Sequence, residues 1–463
     1  MLSKSVKSSD MTNGSLFKGI LYFSIPLCLS QLLQVLFNLA DIAVVGKFSS
    51  AAALGSVGDT AILVALFTGI LTGIGSGVNI RTAYFIGAKK DKDVSETVHT
   101  SFVLCLATGL FLFFICFFLC RPLLELLQTK AEHIDGAELY LKIYAAGLPA
   151  LGIFNFGNAV LSSKGDTKRP LIYLAVAGVL NVILNLVFVI VFKMAADGVS
   201  LASVISIHVS AILVLIRLFR CNDACKLVFK KIRLYKDKAL SVLALGAPAS
   251  LQNSIFAVAN LFIQSAVNSF TFVEVEGNAA AANADTIIYN VMAAIYTACS
   301  TFMGQNLGAG KKDRVIKSYY ICLLYSFGIG VVLGGLLLVF GKEFLYVFTN
   351  EQAVVNAGYE RLKIMGFSYC VSAFMDCTIA ASRGIGKSAV PTAIVILGSC
   401  VFRVVWIYTV FAKFHTIPSL YLLYIFSWSI TAIAEIIYFF IEYKKIKKDK
   451  STSVLQSESA ENP

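Results

Sequence analysis

Residues 22–46 read YFSIPLCLSQLLQVLFNLADIAVVG. The stretch is long and apolar enough to cross a bilayer, which takes roughly 20 residues of helix. It nevertheless carries Pro26 and then Gln31, Gln34, Asn38 and Asp41. Spacings of three, four and three residues put those four polar side chains on one face of a helix. A carboxylate within a membrane helix is unfavourable by at least about 2.5–3.5 kcal/mol on insertion scales. A residue retained against that penalty lines a cavity or a pathway, so Asp41 is the first candidate for an ion-binding group. The competing reading has Asp41 simply hydrated near the outer helix end, roughly 9 Å of helical rise before Lys47.

Composition agrees with the first stretch. Of the 463 residues, 57% are hydrophobic and only 14% charged. Soluble domains are nearer 45–50% apolar and about 25% charged. The chain reads as a polytopic membrane protein. Its formal charge of +12 does not indicate nucleic acid, because the cations collect in alternate loops, as topology signals do. The eleven cysteines are scattered through apolar spans without metal-ligand spacing and read as small apolar fillers. The N-terminus lacks the short apolar core and cleavage site of a secretory signal.

Twelve apolar spans follow a mildly basic tail, at about 20–45, 54–80, 100–120, 138–161, 170–192, 198–218, 240–268, 279–304, 318–341, 358–382, 390–411 and 418–442. None shows the alternation of a membrane β-strand, so the expected fold is all-α. Lys89, Lys90, Lys168, Arg169, Lys311, Lys312 and the lysines after Tyr443 all fall on one side. The positive-inside rule then puts both termini in the cytoplasm.

The chain also repeats itself. LYFSIPLCLSQ (21–31) corresponds to LALGAPASLQN (243–253), FIGAKKDKDV (85–94) to NLGAGKKDRV (306–315), and SSKGDTKRP (162–170) to SRGIGKSAVP (382–391). The offset stays near 221 residues. Six spans per copy is an even number, so both copies keep one orientation, and the two six-helix bundles are related by a pseudo-two-fold axis along the membrane normal. The expected domains are a tail 1–18, an N-terminal lobe 19–218, a basic linker 219–238, a C-terminal lobe 239–443 and a tail 444–463. Such a duplication favours a transporter over a channel.

The two first helices differ. The second has Asn253, Asn260, Gln264 and Asn268 on one face but no carboxylate; an apolar stretch around Ile263 takes the place of Asp41. In the N-terminal half, Tyr144, Asn155 and Asn158 in the fourth span, Asn181 and Asn185 in the fifth, and Ser203 and Ser206 in the sixth can surround Asp41. Amides and hydroxyls around one carboxylate coordinate Na⁺ or set a proton site, or they serve as interhelical hydrogen bonds. In the C-terminal half, Asp376 and Glu435 are membrane acids and candidates for a substrate or cation site; Asp376 can instead pair with a basic group at its helix end. Arg403 is a deep cation that needs a partner and reads as structural. Pro26 and Pro248 permit bends. His99, His133, His208 and His415 form no cluster, and RGIGKS (383–388) lacks P-loop spacing. No nucleotide or nucleophile site appears, so the chain reads as a non-enzyme, without cofactor, driven by an ion gradient.

The IP…Q…N..D..VVG first helix, the IGAKK turn with its LGAGKK copy, and the GDTKRP and GIGKSAVP turns together resemble the multidrug and toxic compound extrusion family, over about residues 18–442. That family exports organic cations and other drugs in exchange for Na⁺ or H⁺ through a cleft between two six-helix lobes. The resemblance implies that Asp41 is the N-lobe cation residue and Asn181 a polar member of its site. Asn185 stands where many members have an acid, the seventh span has no acid, and Asp376 lies about one turn from the family's acid in the tenth span. These departures favour H⁺ over Na⁺ at Asp41, with no other metal expected. The implied partners are small-molecule drugs or organic cations and the lipid bilayer of the plasma membrane, with the chain acting as a monomer. The rival within the superfamily is a lipid-linked precursor flippase, which would be expected to have a strongly cationic cleft; the deep charges here are mostly acidic.

Overall fold

The helix Lys168–Leu186 shows how this sequence builds its fold. Ile172, Val176, Val179 and Ile183 recur every three or four residues and all are exposed, while Ala177, Gly178, Asn181 and Asn185 are buried. Apolar outside and polar inside is the reverse of a water-soluble helix. It is the pattern expected where lipid is the solvent and polar groups must find partners within the protein.

The computed structural model describes residues 11–448, and the side chains of all of these but Ala51. Of the two tails read from the sequence, residues 1–10 and 449–463 lie outside the described residues. Apart from short turns and the linker after α7, the described chain is helical: α1 (Leu16–Phe48), α2 (Ala51–Gly87), α3 (Asp91–Leu126), α4 (Ala131–Ala145), α5 (Leu148–Ser163), α6 (Lys168–Leu186, extended by a wide turn Val187–Val191), α7 (Ala196–Phe219), α8 (Lys236–Val267), α9 (Phe272–Gly308), α10 (Lys312–Tyr346), α11 (Gln352–Gly384), α12 (Ala389–Phe414) and α13 (Ile417–Lys448). Eleven of these described helices are long and apolar enough to cross a membrane, and the pair α4 and α5 makes a twelfth. The protein is an all-α polytopic membrane protein with twelve spans.

The pair α4–α5 departs from the single span 138–161 read from hydropathy, because it bends by 48° at Ala146–Gly147. Pro149 sits in the first turn of α5. Its ring nitrogen cannot donate to the carbonyl of Ala145, so the ladder restarts there. In α1, Pro26 interrupts the ladder without ending the helix. Residues 396–401 and 407–411 of α12 form wide turns on either side of Arg403.

The chain divides into two compact units. The first comprises residues 25–82 and 90–254, the second residues 11–24, 83–89 and 255–448. In the first unit, Leu63, Phe67, Leu112, Leu141 and Leu148 form a buried apolar core with Tyr140 and Tyr144 at its edge. Here α2 and α8 approach backbone to backbone. A Cβ on Gly73 would lie 2.4 Å from the Ser250 nitrogen, and one on Gly77 2.5 Å from the Val242 carbonyl. The Ser250 hydroxyl donates to Ile70 O at 2.7 Å.

The basic linker after α7 is folded against the same unit. Cys221, Cys225 and Leu227 are buried. The Val228 N–H donates to Nε2 of His99 (3.0 Å), whose Nδ1 donates to the Ser95 carbonyl (2.6 Å). Lys164 pairs with Asp223 at 2.6 Å. Burial pushes the Cys225 thiol up to about 12, which leaves it inert at neutral pH.

Candidate functional site

Three helices of the first unit bring three polar side chains together around Asp41. α1 lies on α6 because Gly178 has no side chain: a Cβ there would fall 1.7 Å from the Phe37 ring. One turn beyond Phe37 on α1 is Asp41, and two turns beyond Gly178 on α6 is Asn185. The Asn185 amide donates to Asp41 Oδ1 and, at 3.3 Å, to Asn181 Oδ1. The Asn181 amide donates to the Ser203 hydroxyl on α7 (3.2 Å), and that hydroxyl donates to Asp41 Oδ2 (3.3 Å). The four residues therefore close a ring of hydrogen bonds in which both carboxylate oxygens accept. Asn181 and Asn185 are buried and Asp41 is half-buried. Asn185 Oδ1 is buried without a partner.

The other N-terminal candidates lie around this ring without joining it. The Tyr144 hydroxyl pairs with Thr68 at 3.2 Å and its ring stacks on Tyr140. Tyr140 is close enough to Asp41 to interact electrostatically. Asn155 has a buried, unpartnered Nδ2, and Asn158 accepts from Ser162 at 3.3 Å. Asn38 is exposed on α1. Ser206 is buried with an unpartnered hydroxyl.

The polar face of α8 is not one site. Asn253 donates to the Gly69 carbonyl at 2.9 Å and so fastens α8 to α2. Asn260 and Gln264 are exposed, and Gln264 donates to Asn268 at 2.8 Å. None of these four meets Asp376 or Glu435 through a described hydrogen bond.

Asp376 and Glu435 do come together, within the second unit. Arg383 and Arg403 are close enough to Asp376 to interact with it electrostatically, and Arg383 and Asp376 are likewise close to Glu435. Glu435 is fully buried, and neither of its oxygens accepts a hydrogen bond from a described residue. Arg403 stacks over Tyr424 at 4.6 Å and Phe256 at 5.5 Å, and donates to Ser427 at 3.3 Å.

A third polar cluster, built around a single acid, was not expected from the sequence. The Asp285 carboxylate on α9 accepts from Arg361 and from the Tyr369 hydroxyl, both on α11. Arg361 also donates to the Asn278 carbonyl and side chain, each at 2.8 Å, and lies over the Tyr421 ring at 4.9 Å. The Tyr421 hydroxyl closes the cluster onto Asn278. The available signal was a pair of opposite charges inside the spans 279–304 and 358–382.

Comparison with known proteins gives this geometry a family. The sequence profile of the MatE family matches twice, at residues 26–187 and 248–409. The chain belongs to the MatE family. The two matches restate the internal duplication, and the first begins at Pro26 and includes Asp41, Asn181 and Asn185. A MatE relative, "Probable multidrug resistance protein YpnP" of Bacillus subtilis (strain 168), is 31% identical over 369 residues, covering 79% of this chain and 81% of its own. "Multidrug export protein MepA" of Staphylococcus saprophyticus is 23% identical over 399 residues, covering 82% and 84%. The solved outward-facing conformation of a multidrug resistance MATE family transporter has the same fold, with a TM-score of 0.89 at 20% identity over 96% of this chain and 100% of that one. The present chain is thus a multi-pass membrane protein of the MatE family, and the relatives named here are multidrug resistance and export proteins.

Proposed function

We propose that this MatE protein is a secondary active exporter of organic, mainly cationic, small molecules, and that it exchanges them for H⁺ at Asp41. The observation that carries the reading is the closed ring of Asp41, Asn185, Asn181 and Ser203. Every donor that reaches Asp41 in it is neutral. A carboxylate held by one amide and one hydroxyl can take up and release a proton without leaving a buried cation stranded. Na⁺ would be coordinated by oxygen atoms, yet Asn185 turns its N–H side to Asp41. With one acid in the ring, one charge is exchanged there.

In the proposed cycle Asp41 takes up H⁺ from outside, α1 shifts about Pro26 and substrate leaves. Substrate from inside then binds as the proton is lost to the cytoplasm. The cationic loops support both termini being cytoplasmic. Asp376 and Glu435 form a second charged cluster, whose arginines balance its acids and make it a weaker candidate for carrying the exchanged ion. Acids rather than unpaired cations at the polar cores do not support a flippase of pyrophosphate-linked lipids.

The test is transport of a fluorescent organic cation in vesicles under imposed pH or Na⁺ gradients. The pH gradient alone is expected to drive transport, and Asp41→Asn to abolish it. Transport driven by Na⁺ alone would replace H⁺ in the reading. Full gradient-driven transport by Asp41→Asn would end it.

A further inference from the structure

Residues 11–17, which lead into the first turn of α1, are fastened to the end of α9, the turn after it and α10. Arg314 donates from Nη1 to the Gly14 carbonyl (3.0 Å), from Nη2 to the carbonyls of Met11 (3.2 Å) and Asn13 (3.3 Å), and from Nε to the Asn306 side chain (3.0 Å). Asn306 itself donates to the Met11 carbonyl at 3.1 Å. Lys311 donates to the Thr12 carbonyl (2.8 Å) and the Asn13 side chain (2.6 Å). The Tyr325 hydroxyl holds the Phe17 carbonyl at 3.1 Å. Met11 and Asn306 are fully buried, and Gly14 has a φ of +69°, a left-handed conformation that suits glycine. A segment of this kind stays ordered only where something ties it down, and here these side chains do so.

The strap matters because of where α1 goes next. Residues 11–24 belong to the second unit, and α1 joins the first unit from Ile25 onward. Pro26 stands at that changeover. Asp41 lies beyond it by about 22 Å of helix. One end of α1 is therefore held by one unit, the acid sits in the other, and the weakest turn of the helix lies between them.

The duplicated half repeats the arrangement with the charges reversed. Residues up to Ser254 of α8 belong to the first unit and the remainder to the second. The start of α8 is fastened to α3, where Lys238 pairs with Asp93 and the Tyr235 N–H donates to Thr100 at 3.2 Å. Asp93 and Arg314 are counterparts at the repeat offset. In the first strap a permanent cation grips backbone carbonyls; in the second a carboxylate grips a lysine. Arg314 holds the segment leading into α1 by backbone carbonyls alone, and none of these bonds involves Asp41.

We propose that Arg314, Lys311 and Asn306 are positioning residues for the exchange: they form the fixed end against which a protonation change at Asp41 moves α1 about Pro26. This rests on the reading of Asp41 as the exchanging group. Loosening the strap leaves the Asp41 ring and substrate binding intact but lets α1 yield as a whole, so that proton binding no longer drives the conformational step.

The test uses the full chain, with ethidium as the organic-cation probe. Ethidium affinity is read by fluorescence anisotropy in detergent, and pH-driven ethidium transport is read in proteoliposomes across a pH series. Arg314→Ala and Lys311→Ala, with Asp41→Asn alongside, are expected to separate. The strap variants should lose about tenfold or more in maximal rate, keep ethidium affinity within about twofold, and keep the wild-type midpoint of the pH profile. Arg314→Lys should recover part of the rate. Removal of residues 2–13 is the second variant should Arg314→Ala fail to fold, and should give the same split. Strap variants that transport at the wild-type rate while Asp41→Asn is inactive would overturn the strap and leave the Asp41 reading standing. A rate loss matched by an equal loss of ethidium affinity would also overturn it. Normal transport by Asp41→Asn would instead overturn the Asp41 reading.

Discussion

Two half-buried carboxylates, one in each unit, have opposite surroundings. Asp41 accepts from an asparagine and a serine, and the ring closes through a second asparagine. Asp285 accepts from an arginine and a tyrosine, and its cluster closes through Asn278. At the repeat offset Asp285 and Arg361 correspond to Val64 and Tyr140, which pack in or against the apolar core of the first unit. Duplication supplied the helices, but these two acids stand at different places in them and with different partners. A carboxylate among neutral donors is free to change its charge. One tied to a buried arginine is not, because losing either charge strands the other. The first arrangement suits ion exchange, the second suits fixing α9 to α11.

The strongest way to break this contrast is Arg361→Met. It leaves the half-buried Asp285 without its cation, and a loss of about 3 kcal/mol is expected, seen as a lowered thermal midpoint in detergent. The double variant Asp285→Asn, Arg361→Met should recover most of that stability. If Arg361→Met were as stable as wild type, Asp285 would not be a locked acid. Next in size, Asp41→Asn should lower pH-driven transport by about a hundredfold or to background while changing stability by less than about 1 kcal/mol. The two substitutions thus exchange their effects on stability and on transport.

Gly178→Val presses a side chain into the Phe37 ring and separates α1 from α6. Overpacking of this kind costs about 1–3 kcal/mol, and Phe37→Ala in the same chain should relieve it, as read by thermal unfolding and by ethidium transport. The smallest effect is expected from Ser203→Ala. It removes one of two donors to Asp41, worth about 0.5–1.5 kcal/mol. Transport should continue with a displaced pH profile, and an unchanged profile would take Ser203 out of the ring.

Much of this was legible in the sequence, for reasons the structure makes plain. Apolar length, the duplication and the polar positions of α6 gave the twelve spans and brought Asn181 and Asn185 to Asp41, because spacing along a helix fixes which side chains share a face. The same spacing was too coarse for Asn38. It lies three residues from Asp41, about 60° around the helix, and α1 turns from ring to exposed surface within that arc. The bend between α4 and α5 was readable at Pro149 but hidden by continuous hydropathy. Asn253 bonds to a backbone carbonyl of α2, and the Asp285–Arg361 pair joins helices far apart in the chain. Contacts of that kind depend on tertiary packing, for which a single sequence has no period.

The central claim is that Asp41 holds the proton that substrate displaces. Its most direct measurement is the proton released when ethidium is added to the purified protein in weakly buffered detergent solution. Release is expected from the wild type and from the Asp285→Asn, Arg361→Met double variant, and none from Asp41→Asn, which still binds ethidium. Undiminished release by Asp41→Asn would contradict it.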